Sequence, residues 1–146
     1  MPTYYFMVGI PGSGKSTYAE SLGCKVVCPD TIREIKLVES KDAFAIASWE
    51  IISGLKAGGD VVFDATNTIQ THRFERINVP KPYADKIICI WMDTPLEICI
   101  ARHLERMKRG IRTTLPISVI ERMARQLADN PPDISEGFNE IKRIVY

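Results

Sequence analysis

The sequence has no long apolar run and almost no net charge. Its longest uninterrupted apolar stretch is residues 87–92, far short of the ~20 residues that span a bilayer. No basic segment precedes a long apolar stretch near the first residue, so we predict no secretory signal, no membrane partner and a cytoplasmic location. The 19 Lys and Arg balance 18 Asp and Glu, which excludes a protein that coats nucleic acid by bulk positive charge.

Metal-binding patterns of cysteine and histidine are also missing. The 146 residues include 4 Cys and 2 His, with no Cys-x-x-Cys pair and no finger-like spacing of the histidines. We therefore expect no zinc site and interpret the cysteines as buried thiols of a reducing compartment. The sequence also has no repeat, linker or low-complexity segment, and its length predicts one domain over residues 1–146.

The sequence does contain short β-rich runs that alternate with segments of helical period. This alternation predicts an α/β fold, with a parallel sheet of about five strands and helices on both faces. In such sheets ligands bind beyond the carboxyl ends of the strands, where Asp30, Asp64 and Asp93 are expected to meet the loop 9–16. The predicted strands are 4–8, 25–28, 60–64, 86–92 and 141–145, and the predicted helices are 16–22, 31–38, 41–56, 71–77, 95–108 and 116–128.

The loop 9–16 carries a phosphate-binding motif. Its sequence, Gly-Ile-Pro-Gly-Ser-Gly-Lys-Ser, matches the P-loop pattern G-x-x-x-x-G-K-[ST] between a predicted strand and a predicted helix. The glycines let backbone N–H groups surround a phosphate, and the helix that follows adds the positive end of its dipole. Lys15 can reach the β- and γ-phosphates, and the Ser16 hydroxyl can bind Mg²⁺. We therefore predict ATP and Mg²⁺ as cofactors, with the nucleotide held by Gly9, Pro11, Gly12, Ser13, Gly14, Lys15, Ser16 and Thr17.

A transferase also needs a group that receives the proton of the acceptor. Asp30 is the candidate, because it lies two residues past a predicted strand and a capping box of Thr31 and Glu34 would leave its carboxylate free. The alternative is that Asp30 itself caps the next helix. Arg33 lies on the same helical face as Asp30 and either holds an anionic acceptor or pairs with Asp30 or Glu34.

The third predicted strand ends in a second acidic residue, Asp64. Its position resembles that of the acid that holds the magnesium shell in P-loop proteins. Thr66 and Asn67 follow in a small polar turn that would face the substrate, although a plain turn has the same composition. Arg73, on the next helix, either faces the acceptor or is solvated.

The densest charge in the chain is a basic cluster opposed only by Glu105. Arg102 and Arg106 are four residues apart and share a helix face. A cationic lid over residues 102–116 would stabilise the charge of the transferring phosphoryl group and exclude water, whereas a charge run more often marks a solvated face. The basic cluster consists of Arg102, Arg106, Lys108, Arg109 and Arg112.

Taken together, these segments resemble the phage-type polynucleotide 5′-hydroxyl kinases. The resemblance rests on the P-loop, on Pro29-Asp30 with Arg33, on Asp64-x-Thr66-Asn67 and on Pro95 leading into the helix of Arg102 and Arg106. It extends to the tail, Glu136-Gly-Phe, and so covers nearly the whole chain. It implies transfer of the γ-phosphoryl group of ATP to the 5′-hydroxyl end of DNA or RNA.

The resemblance also implies roles for individual residues. Lys15 and Ser16 would hold the triphosphate and the metal, and Asp64 would share the metal. Asp30 would be the general base, with Lys15 and Arg106 as the other catalytic residues. The residues that the resemblance implies on the acceptor side are Arg33, Asp64, Thr66 and Asn67, and the lid arginines would be Arg102 and Arg106.

The sequence departs from that family in two respects. The stretch between Arg106 and Pro116 is longer than in the phage enzyme, which makes Arg109 an alternative lid residue. No phosphatase pattern Asp-x-Asp-x-Thr and no ligase module is present, so any repair partners would be separate chains. Two other functions stay open, namely a kinase of a nucleoside or nucleotide-sugar and a nucleotide-dependent switch. A basic path of Arg33, Arg73 and Arg76 favours a polynucleotide, and the acceptor base favours a transferase over a switch.

Overall fold

The chain forms a five-stranded parallel sheet. The computed structural model describes residues 2–111 and 115–146, so that Arg112 of the basic cluster and part of the predicted lid lie outside the described residues. The strands run in the order β2-β3-β1-β4-β5, and every neighbouring pair is parallel. This sheet confirms the predicted fold class. The strands are β1 (Thr3–Val8), β2 (Lys25–Val27), β3 (Val61–Phe63), β4 (Lys86–Asp93) and β5 (Glu140–Val145).

Helices connect the strands and lie on both faces of the sheet. They are α1 (Lys15–Ser21), α2 (Pro29–Lys36), α3 (Ser40–Lys56), α4 (Gln70–Asn78), α5 (Leu96–Lys108) and α6 (Ile117–Asp129). Single 3₁₀ turns occupy Lys81–Tyr83 and Ile134–Glu136. None of the helices in the described part of the chain has the length and apolar content that a membrane span requires.

The central strand β1 separates two hydrophobic cores. Tyr4, Phe6 and Val8 face the larger core, which α3, α4, α5 and α6 cover, while Met7 faces the smaller core beneath α1. This alternation follows from the two-residue period of side chains along a strand. The connection from β1 to β2 crosses the sheet in one direction, and all later connections cross it in the other direction. Because such crossovers are right-handed, α1 alone lies on one face, and the other helices lie on the opposite face. Packing on both faces of the sheet therefore fixes the ends of the strands next to the loop 9–16.

Helix α2 begins earlier than the sequence pattern predicted. Its first residue is Pro29 and its N-cap is Cys28, with no capping side-chain hydrogen bond. The predicted capping box of Thr31 and Glu34 is therefore wrong, because Pro29 has the fixed φ that suits the first helical position and extends the helix by two residues. Asp30 lies in the first turn and does not cap the helix.

Candidate active site

The loop between β1 and α1 has the shape of a phosphate cradle. Gly12 and Gly14 adopt φ values of +86° and +95°, which residues with a Cβ atom rarely adopt. A Cβ atom on Gly12 would lie 2.8 Å from the carbonyl oxygen of Cys99, and one on Gly9 would lie 2.6 Å from the Ser13 hydroxyl. Among the described residues, no group bonds to the buried Ser13 hydroxyl. The loop is therefore closely packed, both internally and against α5, and it retains a polar group without a hydrogen-bond partner.

Lys15 lies inside this cradle. Its ammonium group donates a hydrogen bond to the carbonyl oxygen of Ile10 at 3.3 Å. Burial lowers the pKa of Lys15, and the nearby carboxylate of Asp64 opposes that change. A partly buried ammonium group in a loop lined by backbone N–H groups attracts an anion such as a phosphate.

Ser16 and Asp64 join the start of α1 to the end of β3. The Ser16 hydroxyl donates to Oδ2 of Asp64 at 2.8 Å, and the Asp64 side chain is buried. The backbone N–H of Asp64 donates to the carbonyl oxygen of Val27 at 2.9 Å, which also fixes the end of β2 beside it. The hydroxyl and carboxylate proposed as metal ligands from the sequence are thus in direct contact.

A cavity of about 520 Å³ opens beside the cradle. Nη1 of Arg102 donates to the carbonyl oxygen of Gly12 at 2.9 Å, and its guanidinium group lies 5.2 Å from the ring centroid of Tyr146. Arg106 lines the same cavity, as does Thr17. The structure therefore brings both predicted lid arginines of α5 to the predicted nucleotide site.

Arg109 is placed differently. Its Nε donates to Oε1 of Glu105 at 3.1 Å, one helical turn back, and its side chain is 70% exposed. Arg109 does not line the cavity that Arg102 and Arg106 share. We therefore keep Arg102 and Arg106, and not Arg109, as the arginines of the nucleotide site.

Asp30 and Arg33 form an ion pair at the exposed edge of the site. The Asp30 side chain is 76% exposed and that of Arg33 is 33% exposed. Nη1 of Arg33 also donates to the hydroxyl of Ser40 at 3.3 Å, which connects α2 to the first turn of α3. Because β2 ends beside Asp64, this pair lies at the same carboxyl edge of the sheet as the cradle.

The turn after β3 supports the cradle from within. The carbonyl oxygen of Thr66 accepts a hydrogen bond from the N–H of Gly9 at 3.0 Å. Asn67 is buried with φ +49°, and its amide donates to the carbonyl oxygen of Met7 at 2.7 Å while accepting from Nη1 of Arg76 at 3.0 Å. Thr66 and Asn67 therefore hold the loop to β1, and the predicted acceptor contact of Asn67 is not supported by its burial.

Arg73 lies in the core and not on a surface that faces an acceptor. Its Nε donates to Glu136 at 2.6 Å, and its other nitrogens donate to the carbonyl oxygens of Asn67 at 2.9 Å and Asn130 at 2.7 Å. The side chain is fully buried. Because these partners use its donors inside the protein, we do not carry the predicted acceptor role of Arg73 forward.

Two further positions complete this edge of the sheet. Asp93, which we expected at the crevice, forms an ion pair with Arg143 of β5. The sequence analysis missed Thr94, whose hydroxyl donates to the carbonyl oxygen of Ser13 at 2.9 Å. Its position directly after β4, at the carboxyl edge of a parallel sheet, is the signal that could have identified it. Tyr18 and Tyr146 also line the nucleotide cavity but carry no sequence motif.

This combination of sheet order, phosphate cradle and Ser16–Asp64 contact defines a P-loop kinase-like, nucleotide-binding fold. The chain belongs to the AAA domain family, which it matches over residues 5–130. That range includes the cradle, the Asp30–Arg33 pair and the arginines of α5.

The chain is also similar to individual known proteins. The transcription factor bHLH140 of Arabidopsis thaliana is 23% identical over 143 residues, which cover 92% of this chain and 15% of that protein. This chain thus spans only a small part of the length of that curated relative. A structure of the Pnkp1/Rnl/Hen1 RNA repair complex contains a chain 26% identical, with a TM-score of 0.79 over 88% of this chain and 44% of that chain.

Two other solved structures share the fold at lower identity. Kti12 of Chaetomium thermophilum, in complex with ADP-AlF₃, is 17% identical with a TM-score of 0.76, over 98% of this chain and 89% of its own. A gluconokinase of Sinorhizobium meliloti is 17% identical with a TM-score of 0.60, over 99% of this chain and 82% of its own. The fold is thus shared by a chain of an RNA repair complex, by Kti12 and by a gluconokinase.

Proposed function

We propose that this protein is an ATP-dependent kinase that transfers the γ-phosphoryl group to the 5′-hydroxyl end of a polynucleotide, DNA or RNA. The observation that carries the proposal is the exposed Asp30–Arg33 ion pair at the sheet edge that also holds Lys15 and the Ser16–Asp64 contact. A carboxylate and a guanidinium side by side provide one group for a hydroxyl proton and one for an anionic acceptor.

The donor side fits a nucleoside triphosphate with Mg²⁺. The cradle offers the ammonium group of Lys15, which donates to the carbonyl oxygen of Ile10, and the unbonded Ser13 hydroxyl. Ser16 and Asp64 present a hydroxyl and a carboxylate, the oxygen ligands that Mg²⁺ prefers. Among the described residues no group of three or more His, Cys, Asp or Glu could hold a metal, so these two would bind Mg²⁺ together with phosphate oxygens and water. When bound, the ion would neutralise charge on the phosphates.

The transfer requires an in-line displacement at the γ-phosphorus. The acceptor oxygen forms a bond to phosphorus, the bond to the bridging oxygen of ADP breaks, and the hydroxyl proton passes to Asp30. Lys15, Arg102 and Arg106 would stabilise the charge that spreads over the transferring group. In the described structure Arg102 donates to the Gly12 carbonyl, which keeps its guanidinium group beside the cradle.

The acceptor assignment rests on Arg33 and on the likeness to one neighbour. Arg33 is partly exposed and held in place by both Asp30 and Ser40, which suits recognition of a phosphate next to the reacting end. The neighbour from the RNA repair complex is 26% identical over 88% of this chain. By analogy with that assembly, we propose that any repair partners of this protein are separate chains.

A labelled-phosphate assay tests the proposal. The protein would be incubated with γ-labelled ATP and Mg²⁺ and with a 5′-hydroxyl oligonucleotide, a free nucleoside, a nucleotide-sugar or gluconate. We expect label on the oligonucleotide. Label only on the small molecules would indicate a small-molecule kinase, and phosphate release without any labelled acceptor would indicate a nucleotide-dependent switch.

A matched pair of variants tests the role of Asp30. Asp30→Asn should reduce transfer by about 10²–10⁴-fold, the usual contribution of a general base, while leaving the dissociation constant for ATP nearly unchanged. Asp85→Asn is the control, because Asp85 is also exposed but precedes β4 at the opposite edge of the sheet. Full activity of Asp30→Asn would exclude Asp30 as the base.

A further inference from the structure

A second cavity, of about 390 Å³, lies between α3 and α4. We call it the α3–α4 groove. Its volume falls in the range of small-ligand sites, and none of the roles assigned above uses it. The side chains that matter for its chemistry are Lys41 and Phe44 of α3 and His72, Glu75 and Arg76 of α4.

The groove contains a stacked pair of side chains, Phe44 and Arg76, which we call the platform. The guanidinium carbon of Arg76 lies 4.0 Å from the ring centroid of Phe44, so the cation covers the aromatic face. Nη1 of Arg76 is fixed by the Asn67 side chain at 3.0 Å, and Phe44 packs edge-on against Phe63 with ring centroids 6.3 Å apart. Both members of the stacked pair are thus held before any ligand arrives, which reduces the entropy cost of binding.

The charge of the groove favours an anion near Lys41. Lys41 and Arg76 carry positive charge and Glu75 carries negative charge, so the lining has an excess of positive charge. Lys41 is exposed in the first turn of α3. A ligand that combines an aromatic ring with one phosphate matches this arrangement.

The first turn of α3 connects the groove to the Asp30–Arg33 pair. Arg33 donates to the hydroxyl of Ser40, and Lys41 is the next residue along α3. A polynucleotide whose terminal hydroxyl lies at Asp30 and whose first phosphate lies at Arg33 would therefore pass Lys41 as it leaves the site.

We propose that the α3–α4 groove binds the second nucleotide of the acceptor strand. Its base stacks on the Phe44–Arg76 platform, as bases stack on aromatic rings and guanidinium planes in other proteins that bind single strands, and its 3′ phosphate lies at Lys41. This inference rests on the proposed function and extends it, because it makes a single strand of at least two nucleotides the preferred acceptor.

The wild-type protein allows a test that changes only the substrate. The KM for the acceptor would be compared among a nucleoside 3′-phosphate, a dinucleotide 3′-phosphate and the same dinucleotide with an abasic second position. We expect KM to fall at least tenfold from the mononucleotide to the dinucleotide, which corresponds to about 1.4 kcal/mol. The abasic dinucleotide should lose most of that gain.

Variants of the platform provide the second arm. Phe44→Leu should reduce the ratio of the two KM values, mononucleotide over dinucleotide, to near one. Lys41→Ala should raise the KM for the dinucleotide 3′-phosphate relative to the dinucleotide without that phosphate. Lys86→Ala is the matched control, since Lys86 is exposed and begins β4 at the opposite edge of the sheet, and it should preserve both ratios.

The outcomes separate this inference from the proposed function. Equal KM values for intact and abasic dinucleotides, with efficient transfer to both, would overturn the role of the groove and leave the kinase assignment intact. Transfer to none of the 5′-hydroxyl nucleotides would overturn the proposed function, and this inference with it. Phe44→Leu could keep the wild-type ratio of mononucleotide KM to dinucleotide KM while the abasic dinucleotide still has a higher KM than the intact one. The base would then bind elsewhere, which would also overturn the assignment of the groove.

Discussion

The hydroxyl of Ser16 and the carboxylate of Asp64 are in hydrogen-bond contact at 2.8 Å although 48 residues separate them. The contact places one neutral and one anionic oxygen side by side at the start of α1. Its chemistry suits a magnesium ion that is bound together with phosphates.

The first prediction follows from this contact. Asp64→Asn keeps the size and an oxygen at this position but removes the negative charge, so Mg²⁺ should tighten nucleotide binding about 10–100-fold less than in the wild type. Calorimetric titration with ATP, with and without Mg²⁺, measures that difference. The Asp85→Asn variant serves as control, and an unchanged effect of Mg²⁺ in Asp64→Asn would remove Asp64 from the metal site.

The second prediction concerns the pH dependence of nucleotide binding. Because burial lowers the pKa of Lys15, its ammonium group loses its proton at a lower pH than an ordinary lysine, whose pKa is about 10.4. Affinity for ATP should therefore fall as pH rises through the alkaline range toward that lowered pKa. Lys15→Arg, which stays charged at every accessible pH, should bind more weakly at neutral pH but with a flat profile. A falling profile in that variant would assign the titration to another group.

The third prediction concerns the stability of the core. Arg73 and Glu136 form a buried ion pair, and removal of one partner leaves the other charge uncompensated. Arg73→Met should lower the free energy of unfolding by about 3–5 kcal/mol, as measured by urea denaturation. The double variant Arg73→Met with Glu136→Leu should recover part of the loss, because it also removes the orphaned charge. Equal stability of Arg73→Met and wild type would contradict the structural role given to Arg73.

The fourth prediction concerns the cysteines. Burial raises the pKa of Cys89 to about 12, so almost no thiolate is present near pH 8. A colorimetric thiol titration of the native protein should leave Cys89 unmodified, whereas the partly exposed Cys24 and Cys28 should react first. Unfolding in denaturant should make all thiols reactive. Rapid modification of Cys89 in the native protein, located by mass spectrometry, would contradict its burial.

The parts of the site that could be predicted from sequence are those encoded locally. The cradle is one contiguous motif, and Asp64 and Asp30 follow directly from the ends of predicted strands. Arg73 could not be assigned, because its partner Glu136 is 63 residues away and only the folded chain brings them together. The start of α2 was predicted two residues too late, because the helix begins at Pro29 and not at the capping pattern of Thr31.

Arg109 shows a different limit of sequence reasoning. Glu105 and Arg109 are four residues apart, a spacing at which side chains pair along a helix. A count of positive charges nevertheless does not distinguish Arg109 from Arg102 and Arg106. Only the fold shows that Arg102 and Arg106 line the cavity while Arg109 does not.

Asn67 is hydrogen-bonded both to the strand before the cradle and to an arginine of the α3–α4 groove. Its single amide donates to β1 just before the cradle and accepts from the Arg76 that stacks on Phe44. Loss of this side chain would remove a hydrogen bond from the cradle strand and another from the arginine of the proposed groove at the same time. In kinetic terms, Asn67→Leu should disturb the KM values for donor and acceptor together, and thermodynamic linkage requires that any coupling between the two ligands be reciprocal.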